Sequence, residues 1–236
     1  KHEYILQNYG LEIDQIQSSF DTHKANPPII RNMPPDAGKI IWVRHFFSKL
    51  YGPIEEFTQN VISTKEMKKY IDKFNLIGHN LIIYELYFTQ CWNNDIERAK
   101  ACLQTTLLVM KEENSIKTLK VNFDKDIQKL LREAKALDRE GLTTIPESAK
   151  IILLQEEKFK RYYFELDHIR SEYERVVMMI KPIVKKLLIP HVEDLDLKLH
   201  PGIVTLTWTS MNIDGFIEKV RKGLARFEQL ILSTND

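Results

Sequence analysis

Glycine-rich turns cradle the phosphates of nucleotides, so the glycines of this 236-residue chain are the first residues to test for chemistry. They stand at positions 10, 38, 52, 78, 141, 202, 215 and 223. No two have the spacing of a P-loop, with Lys and Ser or Thr after the second, and none forms a Gly-x-Gly-x-x-Gly turn. The sequence therefore predicts no cofactor site in this segment.

Histidine, cysteine and clustered acidic side chains are the usual ligands of metal ions. The seven histidines are scattered, and neither His-Glu-x-x-His nor Cys-x-x-Cys occurs. Glu193, Asp194 and Asp196 resemble the start of a calcium loop, but the glycine that such a loop needs for its turn does not follow, which favours an acidic helix face. Cys91 and Cys102 are interpreted as small apolar core residues. We predict no catalytic residue and no metal ligand.

Glu156 and the three tryptophans are the remaining candidates for a functional role. Glu156 interrupts an apolar pattern and could be a buried acid with a raised pKa, although a polar residue that sets helix register or reaches the rim is favoured. Trp42, Trp92 and Trp208 could anchor an interface. The favoured interpretation places them in the core, each with a hydrogen-bonded indole N–H.

The composition is typical of a folded protein, with 43% apolar and 28% charged residues. Thirty-four basic residues face thirty-three acidic ones, so no global field attracts nucleic acid or an anionic membrane, although a local cluster such as Lys181, Lys185 and Lys186 could still do so. We predict no nucleic-acid or membrane partner. The longest apolar runs, 151–154 and 176–180, are far shorter than the ~20 residues of a membrane-spanning helix. The two cysteines favour a reducing compartment such as the cytosol, and the absence of an initiating Met suggests a piece of a longer chain.

Apolar residues at steps of three and four predict helices through the first half of the chain. A helix over 1–24 is followed by a proline-rich loop over 26–38, and a second helix runs from Lys39 to a stop at Gly52-Pro53. A capping box at Ser63-Thr-Lys-Glu66 opens a helical stretch to about Met110.

Two interruptions of that stretch are predicted, at Gly78 and at 92–95. A polar connector over 114–122 follows, and Asp124 then precedes an amphipathic helix that stops at Gly141.

The strongest structural signal is a long apolar seam in a helix that begins at Pro146. Its positions are Ala149, Ile152, Glu156, Phe159, Tyr163, Leu166, Ile169, Tyr173, Val176 and Ile180. A seam of this length needs a continuous partner surface. Short connections favour neighbouring helices of the same chain, at 124–140 and 183–199, over a helix from another subunit.

The last part of the chain reads as two helices joined by a connector. A helix over 183–199 is expected to break at His200-Pro-Gly202, and 203–208 is expected to be extended. The final helix, from Ile213, has Ser210 or Asn212 as its cap. The predicted fold is all-α, an elongated array of helical bundles with long antiparallel helices. The predicted domains are 1–38, 39–113 (a bundle), 114–202 (a bundle with the seam) and 203–236.

Several motifs in a fixed order resemble the tails of dynein heavy chains. Asn32-Met-Pro-Pro-Asp-Ala-Gly-Lys-Ile-Ile-Trp42 is similar to that family's Asn-Met-Pro-Pro...Gly...Ile-x-Trp element. The other segments that match are Val121-Asn-Phe-Asp124, Arg132-Glu-Ala-Lys135, Gly141 with Ile145-Pro146, Leu199-His-Pro-Gly202, Leu206-Thr-Trp208-Thr-Ser210 and Asn212-Ile-Asp214. The sequence of the last two segments looks most like that of axonemal heavy chains of the outer-arm type, in the amino-terminal tail region.

The resemblance implies helical bundles that carry dynein intermediate chains, light chains and neighbouring heavy chains, attached indirectly to axonemal doublet microtubules. It implies that the parent chain is an ATP-driven, minus-end-directed motor for ciliary beating. Its AAA+ ring, with ATP and Mg, would lie outside this sequence, so the segment itself is expected to be no enzyme. The implied location is the axoneme of a cilium or flagellum, in the cytoplasm and cytoskeleton.

The residue types of these motifs predict structural roles. Pro34, Pro35 and Gly38 are expected to fix a turn above Trp42. Pro201-Gly202 should redirect the chain, and Trp208 should anchor the connector between two helices.

Two other classes of protein fit a helical pattern of this kind. A tethering or adaptor scaffold unrelated to motors would lack a downstream linker and AAA+ modules in its full-length chain. A helical enzyme or ligand-binding domain is disfavoured, because no convergent polar constellation is visible in the sequence.

Overall fold

A computed structural model describes residues 2–60, 65–113, 116–141 and 145–235, and these ranges contain eight helices and one two-stranded antiparallel sheet. The elements in chain order are α1 (His2–His23), α2 (Pro35–Asn60), α3 (Lys65–Cys102), β1 (Leu108–Glu113), β2 (Ile116–Val121), α4 (Lys125–Arg139), α5 (Glu147–Leu154), α6 (Glu156–Met178), α7 (Lys185–Val204) and α8 (Ile213–Asn235). The predicted helical fold is confirmed.

The chain divides into two compact units. The first comprises Lys1–Ile96 and Arg132–Pro146, and the second comprises Glu97–Leu131 and Glu147–Asp236. The predicted division into four domains stays a prediction.

The core of the first unit is built by one face each of α1, α2 and α3. Apolar steps of three and four along each helix place these side chains together. Its buried members are Leu6, Tyr9, Ile13, Ile16, Phe20, Trp42, Val43, Phe46, Leu50, Ile77 and Leu81. At one end the ring of Phe20 stacks on Trp42 with centroids 5.8 Å apart, and Tyr84 meets Phe20 edge-on at 5.3 Å.

Helix α2 is longer at both ends than the sequence predicted. It begins at Pro35, because proline suits the first helical position, where no backbone N–H is needed. It also passes through Gly52-Pro53 to Asn60, so the predicted stop there is wrong. A C-cap glycine takes a positive φ, and the only glycine that does so among the described residues is Gly141, at 68°.

Helix α3 is continuous, and the interruptions predicted within it are wrong. Gly78 and Leu81 are buried on the core face, and Trp92 and Ile96 continue the buried positions one turn apart, so packing maintains the helix. The helix ends at Cys102, short of the predicted Met110. Ser63 and Thr64 of the predicted capping box lie outside the described residues.

A β-hairpin replaces two predicted features, the end of the helical stretch and the polar connector. Strands β1 and β2 pair antiparallel, with Leu108 opposite Val121 and Met110 opposite Leu119. Leu108 and Leu119 are fully buried, whereas Val109, Thr118 and Lys120, their neighbours within the strands, are more exposed, as alternation along a strand requires. Burial of this one apolar face in the second unit stabilises a hairpin that would be marginal alone.

The predicted seam helix is two helices, α5 and α6, interrupted at Gln155. Most predicted seam positions are buried, but Tyr163 is 39% exposed and its neighbour Tyr162 is buried instead. The Tyr162 hydroxyl donates a hydrogen bond to Asp214 Oδ2 at 2.8 Å, which fixes that ring toward α8. The seam is packed within the chain as predicted, but its main neighbours are α8 and β2.

Helix α7 continues through His200-Pro-Gly202 to Val204, so the predicted break and the extended segment from Ile203 are wrong. Gly202 is buried, and a Cβ there would lie 2.4 Å from Cζ of Phe216 in α8. The glycine therefore permits close helix packing that offsets its low helix propensity. The predicted start of α8 at Ile213 is confirmed.

Candidate scaffold junctions and exposed surface

The N-terminus of α2 is held by a buried carboxylate from α4 in the first unit. Glu133 is 1% exposed. Its Oε2 accepts the backbone N–H of Ala37 at 2.7 Å, and its Oε1 accepts that of Asp36 at 3.2 Å. The first N–H groups of a helix lack partners within the helix, and its dipole favours a negative charge there. Glu133 thus acts as a helix cap contributed from nearly a hundred residues away in sequence.

Sequence reasoning quoted Glu133 only as part of a motif and missed this role. The available signal was the face of α4. Glu133 follows Leu130 by three residues and precedes Leu137 by four, and both of those side chains are buried. A carboxylate on an apolar helix face requires a compensating partner.

The tryptophan of the proline-rich motif lies among aromatic rings. Trp42 packs edge-on against Phe46 at 5.0 Å and against Tyr84 at 5.8 Å. Pro35 and Gly38 belong to α2, so the turn predicted above Trp42 is replaced by the first turn of a helix. Burial raises the pKa of Tyr84 to about 12, and its hydroxyl donates to the backbone oxygen of Lys24 at 2.8 Å, just beyond α1.

A second junction surrounds Trp208 in the second unit. Trp208 lies in the segment that joins α7 to α8, and its side chain is fully buried. Its Nε1 donates to the backbone oxygen of Asn122 at 2.8 Å. Phe123 packs edge-on against the indole at 4.6 Å. The backbone N–H of Leu107 donates to the oxygen of Leu206 at 3.0 Å. The predicted anchoring role of Trp208 is confirmed.

The cysteines do not lie in the core as predicted. Cys91 is exposed, and Cys102 is half-buried at the end of α3. The Cys102 thiol donates to Asp124 Oδ2 at 3.2 Å, and burial together with this carboxylate raises the pKa of the thiol. A thiol of this kind stays protonated at neutral pH and is a poor nucleophile. The backbone N–H of Asp126 chiefly lowers the pKa of Asp124, which caps α4.

The acidic residues considered for calcium binding, Glu193, Asp194 and Asp196, lie on α7, and two of them are separately paired. Asp194 pairs with Lys198, and Asp196 pairs with Lys117 at 2.5 Å while accepting the Tyr173 hydroxyl at 3.2 Å. Within the described ranges no group of three or more His, Cys, Asp or Glu could hold a metal ion. The interpretation as an acidic helix face agrees with these pairings.

The remaining candidates, Glu156 and Trp92, are buried. Glu156 reaches Lys160 Nζ at 2.8 Å, one turn along α6, which agrees with a side chain that extends to the rim. The indole N–H of Trp92 has no hydrogen-bond partner in the described part of the chain, so the prediction of a satisfied indole is wrong at this position.

Helix α3 leaves an apolar face in the first unit exposed. The α3 face consists of Leu76, Ile82, Ile83, Leu86 and Tyr87. Its members are between 44% and 63% exposed. Leu76, Ile83 and Tyr87 recur at steps of seven and four, so they lie along one line of the helix. An exposed apolar helix face of this kind is typical of a protein–protein interface.

In the described ranges, no helix is both long enough and apolar enough to cross a bilayer.

Comparison with known proteins identifies the family. The profile of the family described as "Dynein heavy chain, N-terminal region 1" matches residues 1–216. The chain is 39% identical to the dynein gamma chain of the flagellar outer arm of Chlamydomonas reinhardtii, 35% to dynein axonemal heavy chain 5 of Mus musculus and 32% to dynein axonemal heavy chain 8 of Homo sapiens.

The alignments cover 100%, 100% and 99% of the chain, but only 5% of the length of each relative. The names of these relatives refer to the flagellar outer arm or to the axoneme, which confirms the location predicted from the sequence. The chain belongs to the N-terminal region 1 family of dynein heavy chains.

Proposed function

We propose that this chain is a scaffold segment of a dynein heavy-chain tail, which holds a microtubule motor in a ciliary outer arm and carries associated subunits. The subunits are intermediate chains, light chains and neighbouring heavy chains, and attachment to the doublet microtubules is indirect. The parent chain is an ATP-driven, minus-end-directed motor for ciliary beating. Its ATPase, with ATP and Mg, lies outside this segment, which has no catalytic role of its own.

The observation that carries this proposal is the α3 face, considered together with family membership. An apolar stripe on one long helix offers the anchor positions that a partner helix or groove needs. The junctions around Glu133 and Trp208 hold neighbouring helices within each unit and leave this stripe exposed. Packed helices with an exposed apolar stripe fit a segment that binds other subunits better than they fit an enzyme.

A binding experiment with purified outer-arm subunits tests the proposal. The chain is immobilised, and purified intermediate chains, light chains and a neighbouring heavy-chain tail are applied separately. The variant Ile83→Ser/Tyr87→Ser changes two exposed side chains of the α3 face. Its matched control, Phe164→Ser/Met178→Ser, changes two exposed apolar side chains of α6 in the second unit.

We expect at least one subunit to bind both the unmodified chain and the control variant. That subunit should bind the α3-face variant about tenfold more weakly or worse, because apolar anchors carry most of the energy of an interface. Binding of no outer-arm subunit would refute the scaffold role. Equal binding to all three proteins would show that subunits dock elsewhere than the α3 face.

A further inference from the structure

A groove between α7 and α8 in the second unit combines an apolar floor with a basic rim. Its volume is about 510 Å³. Leu195 and Phe227 are buried members of its lining, and they form the floor together with Leu230. The basic side chains of its lining are His191 and Lys198 of α7 and Lys219, Lys222 and Arg226 of α8.

The width of the groove depends on a glycine at its centre. Gly223 lines the groove, and a Cβ added there would lie 2.8 Å from Lys198 Cδ and 3.6 Å from Leu195 Cδ1. The missing side chain lets the Lys198 stem lie across α8. Its ammonium group bonds Asp194 on α7.

The charges at the rim leave a positive excess. Asp194 is neutralised chiefly by Lys198, which lowers the pKa of this carboxyl, and Glu218 pairs with Lys222 at 2.6 Å. Lys219 and Arg226 form no direct ion pair among the described residues, and both are exposed, although the charge of Arg226 also helps to lower the pKa of Asp194. An anionic occupant would therefore find two cations that need not break a direct ion pair.

We propose that this groove binds an acidic, amphipathic helical segment of a partner polypeptide. Lys219, Lys222 and Arg226 follow one another at steps of three and four, so they lie along one face of α8 over roughly 10 Å. Carboxylates at steps of three and four on a partner helix match this row. Apolar side chains of the same segment fit the floor of Leu195 and Phe227.

The apolar floor distinguishes a peptide from the other anionic macromolecules. Phosphate backbones bind to cationic surfaces without any need for apolar contact, whereas an amphipathic helix needs an apolar floor and a charged rim. This proposal rests on the scaffold role only for where the partner polypeptide comes from, namely another dynein subunit. Binding of the peptide depends on the residues of the groove alone.

The test uses the full chain and a fluorescein-labelled amphipathic peptide of Glu, Leu and Ala, about two heptads long. The variant Lys219→Glu/Arg226→Glu reverses the two free rim charges. The matched control Arg221→Glu/Lys186→Glu reverses two exposed basic residues outside the groove. Circular dichroism melts check that all the proteins are folded, and fluorescence anisotropy at two salt concentrations reports affinity.

We expect the rim variant to bind the peptide about tenfold more weakly than the chain and its control, because each reversal replaces an attraction by a repulsion. Added salt should weaken binding to the chain, and a peptide with Lys in place of Glu should not bind. Replacing Leu by Ser in the peptide should abolish the interaction. Equal binding to the rim variant and the control would overturn the proposal.

Two further arms separate the alternatives. Duplex DNA or phosphatidylserine vesicles that displace the peptide and bind more tightly than it does would overturn the assignment of a polypeptide occupant. The α3-face variant Ile83→Ser/Tyr87→Ser should bind the peptide normally. Rim-dependent peptide binding by a chain that captures no dynein subunit would leave this inference standing and refute the scaffold role alone.

Discussion

Removal of the carboxylate that caps α2 should be among the most damaging single changes in the first unit. Glu133→Gln keeps the size of the side chain but replaces one oxygen with an NH₂ group. That group would face a backbone N–H, of Asp36 or of Ala37, and two donors cannot bond each other. Glu133→Ala removes both acceptors and leaves both backbone groups without the bonds they have now.

The magnitude follows from the bonds that are lost. Hydrogen bonds that involve a charged group contribute about 1.5–3 kcal/mol each, and a negative charge at a partly buried helix N-terminus adds up to ~2 kcal/mol. The carboxylate also carries a desolvation cost in the native protein, which its removal relieves. We therefore expect Glu133→Gln to lower the free energy of unfolding by about 2–3 kcal/mol and Glu133→Ala by about 3–5 kcal/mol.

Urea unfolding followed by far-ultraviolet circular dichroism measures these changes. Asp138→Asn is the matched control, because Asp138 is an exposed carboxylate on the same helix and its neutralisation should cost less than about 0.5 kcal/mol. If Glu133→Gln unfolds at the same urea concentration as the control, the two backbone hydrogen bonds do not stabilise α2 and the capping role is refuted.

Two further predictions concern the second unit. Leu166→Ala should lower the free energy of unfolding by about 2–5 kcal/mol, because Leu166 is fully buried. Tyr163→Ala should lower it clearly less, because Tyr163 is 39% exposed. Urea unfolding measures both losses, and similar values would contradict the observed register. Burial, and to a lesser extent Asp196, raise the pKa of Tyr173. The stability that its neutral hydroxyl contributes is therefore complete below ~10, the pKa of tyrosine in the unfolded chain. Above that pH this stability declines by about 1.4 kcal/mol per pH unit. Tyr173→Phe should therefore lose less stability between pH 9 and pH 11, and an equal loss in the two proteins would refute this assignment.

Apolar periodicity predicted the parts of the fold in which one helix face is buried. The α4 pattern and its stop at Gly141 are confirmed, because an amphipathic stripe and a positive-φ glycine are both local properties. The seam of α6 was displaced by one position at Tyr163. Steps of three and four allow either of two adjacent residues at that point, and only the Tyr162 contact with Asp214 decides between them.

The hairpin was missed because its stability is not local. Lys117, Thr118 and Lys120 give β2 a polar composition, and its apolar face consists of few residues, chiefly Leu119. Such a strand is stable because β1 pairs with it and α6 packs against it. The contacts with α6 join residues far apart in sequence, so the pattern of the hairpin segment alone does not reveal them.

The predictions that a helix ends or breaks at a proline–glycine pair were wrong in two places. Gly52-Pro53 in α2 and Pro201-Gly202 in α7 both lie inside helices. A proline inside a helix costs ~3 kcal/mol and a glycine about 1 kcal/mol, and in α7 the burial of apolar side chains such as Leu195 and Leu199 offsets these costs. At Gly202 the absence of a side chain is itself required, because Phe216 occupies the space.

The two junctions explain why motifs far apart in sequence meet. Glu133 accepts the backbone N–H groups of Asp36 and Ala37, and Trp208 donates to the backbone oxygen of Asn122. In each case a buried polar side chain satisfies the backbone of another motif, at the end of a helix or just beyond a strand. Each of these hydrogen bonds is buried and joins segments that are far apart in sequence, so each junction fixes where its two segments lie within one unit.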